Sequence, residues 1–170
     1  MSRRNLFWIL FVGMLALDQL VKLWARHAVD GREGASIYPL WPGVFELTLV
    51  YNPGIAFGQL QGYGVLLTPI AMAIAAGSIW YSHKHPHAAK VYHVVAALFA
   101  AGAIGNLIDR LWLGKVTDMF DFRLIKFPVF NVADACITIS GAIMILLWIF
   151  EAFEERKSQK SADNAESVTL

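Results

Sequence analysis

Four stretches of this chain are long and apolar enough to cross a hydrocarbon layer, and nothing else in the sequence limits its fold so strongly. A helix needs about 20 residues to span a bilayer core. The stretches run from Leu6 to Ala25, Gly64 to Tyr81, Val91 to Ile108 and Val132 to Phe153. Composition agrees, because 57% of the residues are hydrophobic and only 16% charged, outside the range of soluble domains. The expected fold class is an all-α integral membrane protein of four transmembrane helices, one domain over residues 1–153. A polar, disordered tail is expected over residues 154–170, where aromatic residues give out.

Arg3 and Arg4 ahead of the first apolar run invite comparison with a secretory signal peptide. No small-residue cleavage pattern follows, and the run continues through Asp18 and Lys22 to Trp24, so a retained span is expected. Four spans place both termini on one side. Lys and Arg counts in the flanks usually orient such a bundle, but here they tie. Arg3, Arg4, Lys84, Lys90, Arg156, Lys157 and Lys160 stand on one side. Lys22, Arg26, Arg32, Arg110, Lys115, Arg123 and Lys126 stand on the other.

The segment from Arg26 to Gly62 joins the first two spans on the side opposite the termini. Within it, Val44 to Tyr51 is rich in β-branched and aromatic residues and reads as a strand, ended by the turn Asn52-Pro53-Gly54. A small β-rich segment is therefore expected between helices 1 and 2. Trp24 and Leu40-Trp41-Pro42 suit the membrane interface. The loop from Asp109 to Phe130 also holds strand-like pieces, while Ser82 to Lys90 is a short connection. No internal repeat is visible.

Ionisable residues near membrane spans are costly, about 2.5–3.5 kcal/mol at mid-bilayer on insertion scales, and they usually face protein or water and mark function. Asp18, Lys22, Asn106, Asp109, Arg110, Asp118, Asn131 and Asp134 form this set, and all map to the side with the two long loops. Asp18 and Lys22, four apart, share a helix face, either as a simple ion pair or as a prop for a neighbouring site. Asn106, Asp109 and Arg110 share another face, either as a helix end with an acid–Arg pair or as a frame for substrate. Gly102 and Gly105 would let a neighbouring helix come close. Asn131 followed by Asp134 resembles a capping box, which is compatible with a carboxylate held ionised at a helix N-terminus. Asp118 lies among apolar neighbours, with Asp121 as its competitor for any role.

Other chemistries find less support. His83, His85 and His87 alternate like metal ligands but sit in the short opposite loop. No Ser or Thr has an evident base, and the single cysteine, Cys136, suits core packing and excludes an internal disulfide. A net charge of +1 leaves no basic face for nucleic acid. A small transporter using Asp18, Lys22 and Asp134 is the rival class, but its site should lie near mid-membrane, whereas these acids crowd one interface.

Read in order, these residues resemble the lipoprotein signal peptidase (signal peptidase II) family. The resemblance rests on Asp18-Gln19 with Lys22, then Asn52-Pro53-Gly54-Ile55-Ala56-Phe57, then Gly102-Ala103-Ile104-Gly105-Asn106-Leu107-Ile108-Asp109-Arg110. Val116-Thr117-Asp118 and Phe130-Asn131-Val132-Ala133-Asp134 complete it. It implies an aspartic endopeptidase that cuts diacylglyceryl-modified prolipoproteins just before the lipidated cysteine, with Asp118 and Asp134 as the catalytic pair. Asp18, Lys22, Asn52, Gly54, Asn106, Arg110 and Asn131 would shape the site or hold substrate, and Asp109 would support it beside Arg110. The resemblance also implies a bacterial inner-membrane protein, both termini cytoplasmic, with the site and β-rich segment at the extracytoplasmic face. Its partners would be prolipoprotein substrates and membrane lipid, with no obligate protein partner. Two carboxyls supply both proton transfers, so no metal or cofactor is expected. Ala101, where a glycine is usual, and Thr117 and Met119, where valine and phenylalanine are common, depart from the family pattern.

Overall fold

A computed structural model describes residues 1–54, 64–125 and 127–168, without the side chains of residues 64–67 and 160–168. Four helices and three strands follow one another as α1 (Arg3–Ala28), β1 (Ser36–Trp41), β2 (Phe45–Asn52), α2 (Gly64–Lys84), α3 (Lys90–Leu113), β3 (Val116–Phe122) and α4 (Val132–Val168). Among the described residues three helical stretches are long and apolar enough to cross a membrane: Arg3–Ala28, Lys90–Leu113 and Val132–Gln159. The second expected span forms as helix α2 but does not meet that criterion over its described residues.

The bundle is organised around α3. Over half of its buried residues are small: Ala96, Ala97, Ala100, Ala101, Gly102, Ala103 and Gly105. Small side chains let neighbouring backbones approach, which is how helices associate where no water is available to drive them together. Helix α1 lays Phe7 against Ala96, Ala97 and Ala100, while Ala71 of α2 meets Ala103 and Leu107. The approach of α4 is closest: a methyl group on Gly102 would lie 2.5 Å from the Ala133 carbonyl oxygen. The outward faces of α1 and α4 are apolar, with Val12, Leu20, Ile145 and Trp148 all exposed, as lipid-facing surfaces require.

The sheet is antiparallel in the order β1-β2-β3. The strand expected over Val44 to Tyr51 is β2. The β-rich segment is not confined to the connection between α1 and α2, because β3 arrives from the α3–α4 connection and pairs along β2. Its register sets Val50 opposite Asp118, Tyr51 opposite Thr117 and Asn52 opposite Val116. The sheet packs Leu49 and Met119 against Ala25 and Val29 at the end of α1. α3 is stopped by Gly114, whose positive φ of 71° returns its N–H to the Arg110 carbonyl and turns the chain straight into β3.

Residues 154–168, where a disordered tail is expected, continue α4 as helical backbone. Glu154, Glu155, Arg156, Lys157 and Gln159 are good helix formers, so propensity extends the helix beyond its apolar part. The motif residues Ile55, Ala56 and Phe57 lie outside the described residues.

Candidate active site

The polar residues singled out in the sequence converge where α1, α3, the start of α4 and the inner end of the sheet meet. The foundation is a buried charge cluster between α1 and α3. Lys22 is fully buried, and its Nζ lies 2.9 Å from Asp18 Oδ2 and 3.7 Å from Asp109 Oδ2. The same ammonium donates to Asn106 Oδ1 at 2.9 Å and to the Gly105 carbonyl at 3.3 Å. A buried lysine is tolerable only when so surrounded. Asp18 is therefore more than an ion-pair partner, because its other oxygen accepts the Ala133 N–H at 2.9 Å and caps α4 from a distance. Gln19 ties the cluster further, donating to Asp18 and to the Gly105 carbonyl.

Asn131 forms the expected capping box with Asp134. Its side-chain oxygen accepts the Asp134 N–H at 2.9 Å, and its own N–H donates to Asp134 Oδ2 at 3.2 Å. Its Nδ2 then reaches across to β3, donating to Asp118 Oδ1 at 2.6 Å, to Asn106 Oδ1 at 3.1 Å and to the Thr117 carbonyl at 3.3 Å. One residue thus bridges the two carboxylates from helix and strand. Each carboxylate has a second amide partner: Asn106 Nδ2 donates to Asp134 Oδ1 at 2.7 Å, and Asn52 Nδ2 to Asp118 Oδ2 at 3.2 Å. Asn106 is in turn oriented by Lys22, so the buried cluster sets the amide that sets Asp134.

Burial is the main cause that pushes the Asp118 carboxyl up from its ordinary value of 3.8 to about 7, and the charge of Asp134 adds to it. The hydrogen bonds from Asn131 and Asn52, with the Lys22 charge, oppose the rise without cancelling it. A carboxylate beside a second one ionises less easily.

Of the two readings of Asp109 and Arg110, the acid–Arg pair does not form. Asp109 accepts the Thr117 N–H at 2.8 Å and lies 3.6 Å from Arg26 Nη1. Arg110 donates instead to the Gly54 carbonyl at 3.2 Å. Neighbouring positions on a helix point about 100° apart, so one turns toward β3 and the other toward the turn after β2. Gly54 is itself held by Asn52, whose side-chain oxygen accepts its N–H at 3.0 Å. Asp121 stands apart, paired with Arg123 at 3.0 Å on the far part of the sheet.

Arg26, Gln19 and the Thr117 hydroxyl were given no site role from the sequence, yet all join this network; Arg26 Nη1 donates to Thr117 Oγ1 at 2.8 Å. Asp18, Lys22 and Arg26 recur every four residues on α1, a spacing that places them on one face and was available to read.

Beside Asp134 opens a cavity of about 550 Å³. Asn106, Arg110, Asn52 and Asp134 form its polar end. Ile70 and Ile74 of α2, Ile137 and Ile139 of α4, and Phe122, Phe127 and Phe130 form its apolar walls. Such a space accepts an apolar chain with one polar group presented to the acids. Among the described residues no three His, Cys, Asp or Glu side chains converge as a metal site. His83 and His85 each turn back onto carbonyls of the last turns of α2, and Cys136 is buried.

A family model described as signal peptidase (SPase) II matches residues 10–150. A lipoprotein signal peptidase of Synechocystis sp. is 40% identical over 148 residues, covering 87% of this chain and 89% of that protein. One from Gloeobacter violaceus is 41% identical over 147 residues, covering 86% and 83%. A bacterial membrane enzyme solved by the in meso method superimposes with a TM-score of 0.76 at 28% identity, over 86% of this chain and 88% of that one.

Proposed function

Because the chain belongs to the signal peptidase II family, we propose that it removes signal peptides from diacylglyceryl-modified prolipoproteins, cutting just before the lipidated cysteine with Asp118 and Asp134 as the catalytic pair. The observation that carries this reading is the bridge made by Asn131, which donates to both carboxylates from two of its own atoms.

The two acids divide the work by environment. Asp118, with its affinity for protons raised by burial, holds the proton near neutral pH. Asp134 stands in the first turn of α4, where its carboxylate accepts from the Asn131 N–H and from Asn106 Nδ2. Asp134 takes a proton from a water, which attacks the scissile carbonyl carbon. Asp118 donates its proton to the oxygen on which negative charge develops. Collapse of the tetrahedral species returns a hydroxyl proton to Asp118 as the carbonyl re-forms and the C–N bond breaks, and the amine of the released cysteine takes up the proton held by Asp134. Asp18, Lys22, Asn106 and Asn131 hold the acids in place, while Asn52, Gly54 and Arg110 line the approach for the substrate backbone.

The bilayer supplies the rest. With α2 acting as the fourth span, both termini lie in the cytoplasm of a bacterial cell and the site faces the outer side of the inner membrane. The signal peptide's apolar helix and the acyl chains enter the cavity from the lipid between α2 and α4, whose isoleucines form its walls. The described part of the Arg26 to Gly62 connection, up to Gly54, lies on the membrane surface and partly covers the site; its deletion abolishes cleavage of lipidated substrate.

The test is on the substrate. Purified protein is offered the same precursor with and without the diacylglyceryl group, and the new N-terminus is identified by mass spectrometry. Cleavage before the modified cysteine, and little cleavage of the unmodified precursor, is the expected result. Equal cutting of both, or cutting elsewhere, rejects the proposal.

A further inference from the structure

Thr117 is gripped at each of its polar groups by a different helix. Its N–H donates to Asp109 Oδ2 of α3 at 2.8 Å, its Oγ1 accepts from Arg26 Nη1 of α1 at 2.8 Å, and its carbonyl accepts from Asn131, the residue that caps α4, at 3.3 Å. The residue is completely buried. It precedes Asp118 on β3 and faces the other way, since successive strand residues alternate. Valine would have the same shape here but would offer Arg26 no acceptor.

We propose that Arg26 and the Thr117 hydroxyl form a positioning pair for the reaction, fixing β3 against α1 and α3 so that Asp118 stays within reach of Asn131 and Asn52. The inference rests on the reading of Asp118 as the catalytic acid. Its physical basis is the short lever involved. The Asn131 and Asn52 contacts to Asp118 measure 2.6 and 3.2 Å, and hydrogen bonds weaken steeply with small displacements. Arg26 is suited to the task because its guanidinium spans Thr117 and Asp109, which lies 3.6 Å away, so one cation ties strand and helix together. The charged groups about Asp118 are Asp134 from α4, Lys22 from α1 and Arg110 from α3, with Arg26 and Asp109 acting one residue away through Thr117.

The experiment measures cleavage of a diacylglyceryl-modified prolipoprotein by full-length protein across pH 5 to 9, for wild type, Thr117→Val, Thr117→Ser, Arg26→Met, the Thr117→Val/Arg26→Met double variant and Asp118→Asn. Thr117→Val and Arg26→Met each lower kcat by about tenfold, the rate equivalent of about 1.4 kcal/mol, and leave KM within about twofold. The double variant is no slower than the slower single one, because both break one contact. Thr117→Ser restores kcat to within about threefold of wild type. The alkaline limb of the pH profile moves up by about half a unit in the impaired variants, because weakening the Asn131 and Asn52 contacts removes what opposes the rise at Asp118. A loss of folded protein alone would lower the rate without moving that limb. If Thr117→Val fails to fold, Arg26→Met carries the same test, since its side chain is partly exposed and its stem is retained. Wild-type kcat and pH profile in Arg26→Met, beside an inert Asp118→Asn, overturn the positioning pair alone. Normal cleavage by Asp118→Asn overturns the catalytic reading, and the positioning pair with it.

Discussion

Gly105→Ala tests how the site is held. A methyl group at Gly105 would lie 2.5 Å from Asp18 Oδ2, 3.1 Å from its Cγ and 3.2 Å from Ala133 Cβ. To reach ordinary contact at 3.4 Å the carboxylate must retreat by about 0.9 Å. It has no free direction, because one oxygen holds Lys22 and Gln19 and the other holds the Ala133 N–H, each at 2.9 Å. Overpacking a close-packed site costs about 1–3 kcal/mol, and breaking a buried ion pair outright about 3–5 kcal/mol. Alanine in a helix interior returns about 1 kcal/mol relative to glycine. With the pair stretched rather than abolished, the net loss is about 3 kcal/mol. The assay is reversible unfolding in SDS, with Gly13→Ala as its control, because a methyl group there meets nothing within 4 Å. Gly13→Ala is neutral or slightly stabilising, while Gly105→Ala loses stability and also cleaves slowly, since Asp18 holds the turn that carries Asp134. Equal stability of the two variants would refute the reasoning, because it would mean that Asp18 has room to move.

Further outcomes follow from the same contacts. Lys22→Met, measured by the same unfolding, costs about 3–5 kcal/mol because it leaves Asp18 and Asp109 buried without their shared cation. Asn131→Ala loses about 0.5–2 kcal/mol with the α4 cap, and its cleavage rate falls further than that stability loss explains, since Asp118 loses a donor and the Asp134 N–H loses its acceptor. The Asp118 carboxyl is raised from 3.8 to about 7, so the folded chain keeps a proton that the unfolded chain releases. Its contribution to stability is full below pH 4 and is lost as pH rises through 7. Unfolding midpoints taken from pH 4 to 8 therefore fall with pH in wild type, and Asp118→Asn lacks this part of the decline.

Much of this arrangement is legible in the sequence where the governing rules are local. The Asn131–Asp134 capping box is a three-residue pattern and forms as read. The Asp18–Lys22 pair is a one-turn spacing and forms as read. β2 is visible from its branched and aromatic residues, and Gly102 and Gly105 mark where helices press close. What remains hidden depends on the path of the chain through space. Asp109 and Arg110 could be an acid–Arg pair or a frame for substrate by sequence alone, and only the fold shows each claimed by a partner from another element, Thr117 and Gly54. That Asp18 caps α4 is invisible locally, since 115 positions separate it from Ala133. The continuation of α4 past Phe153 is a case of the opposite kind, where polarity suggested disorder and helix propensity suggested order.

The central claim is that Asp118 and Asp134 together activate water against the peptide bond before a lipidated cysteine. The most direct measurement is cleavage of diacylglyceryl-modified prolipoprotein by purified wild type, Asp118→Asn and Asp134→Asn, each first checked for folding by its unfolding midpoint. The account predicts that wild type cuts before the modified cysteine while both variants are folded and inert. Normal cleavage by either folded variant would contradict it and turn attention to Asp109 or Asp121.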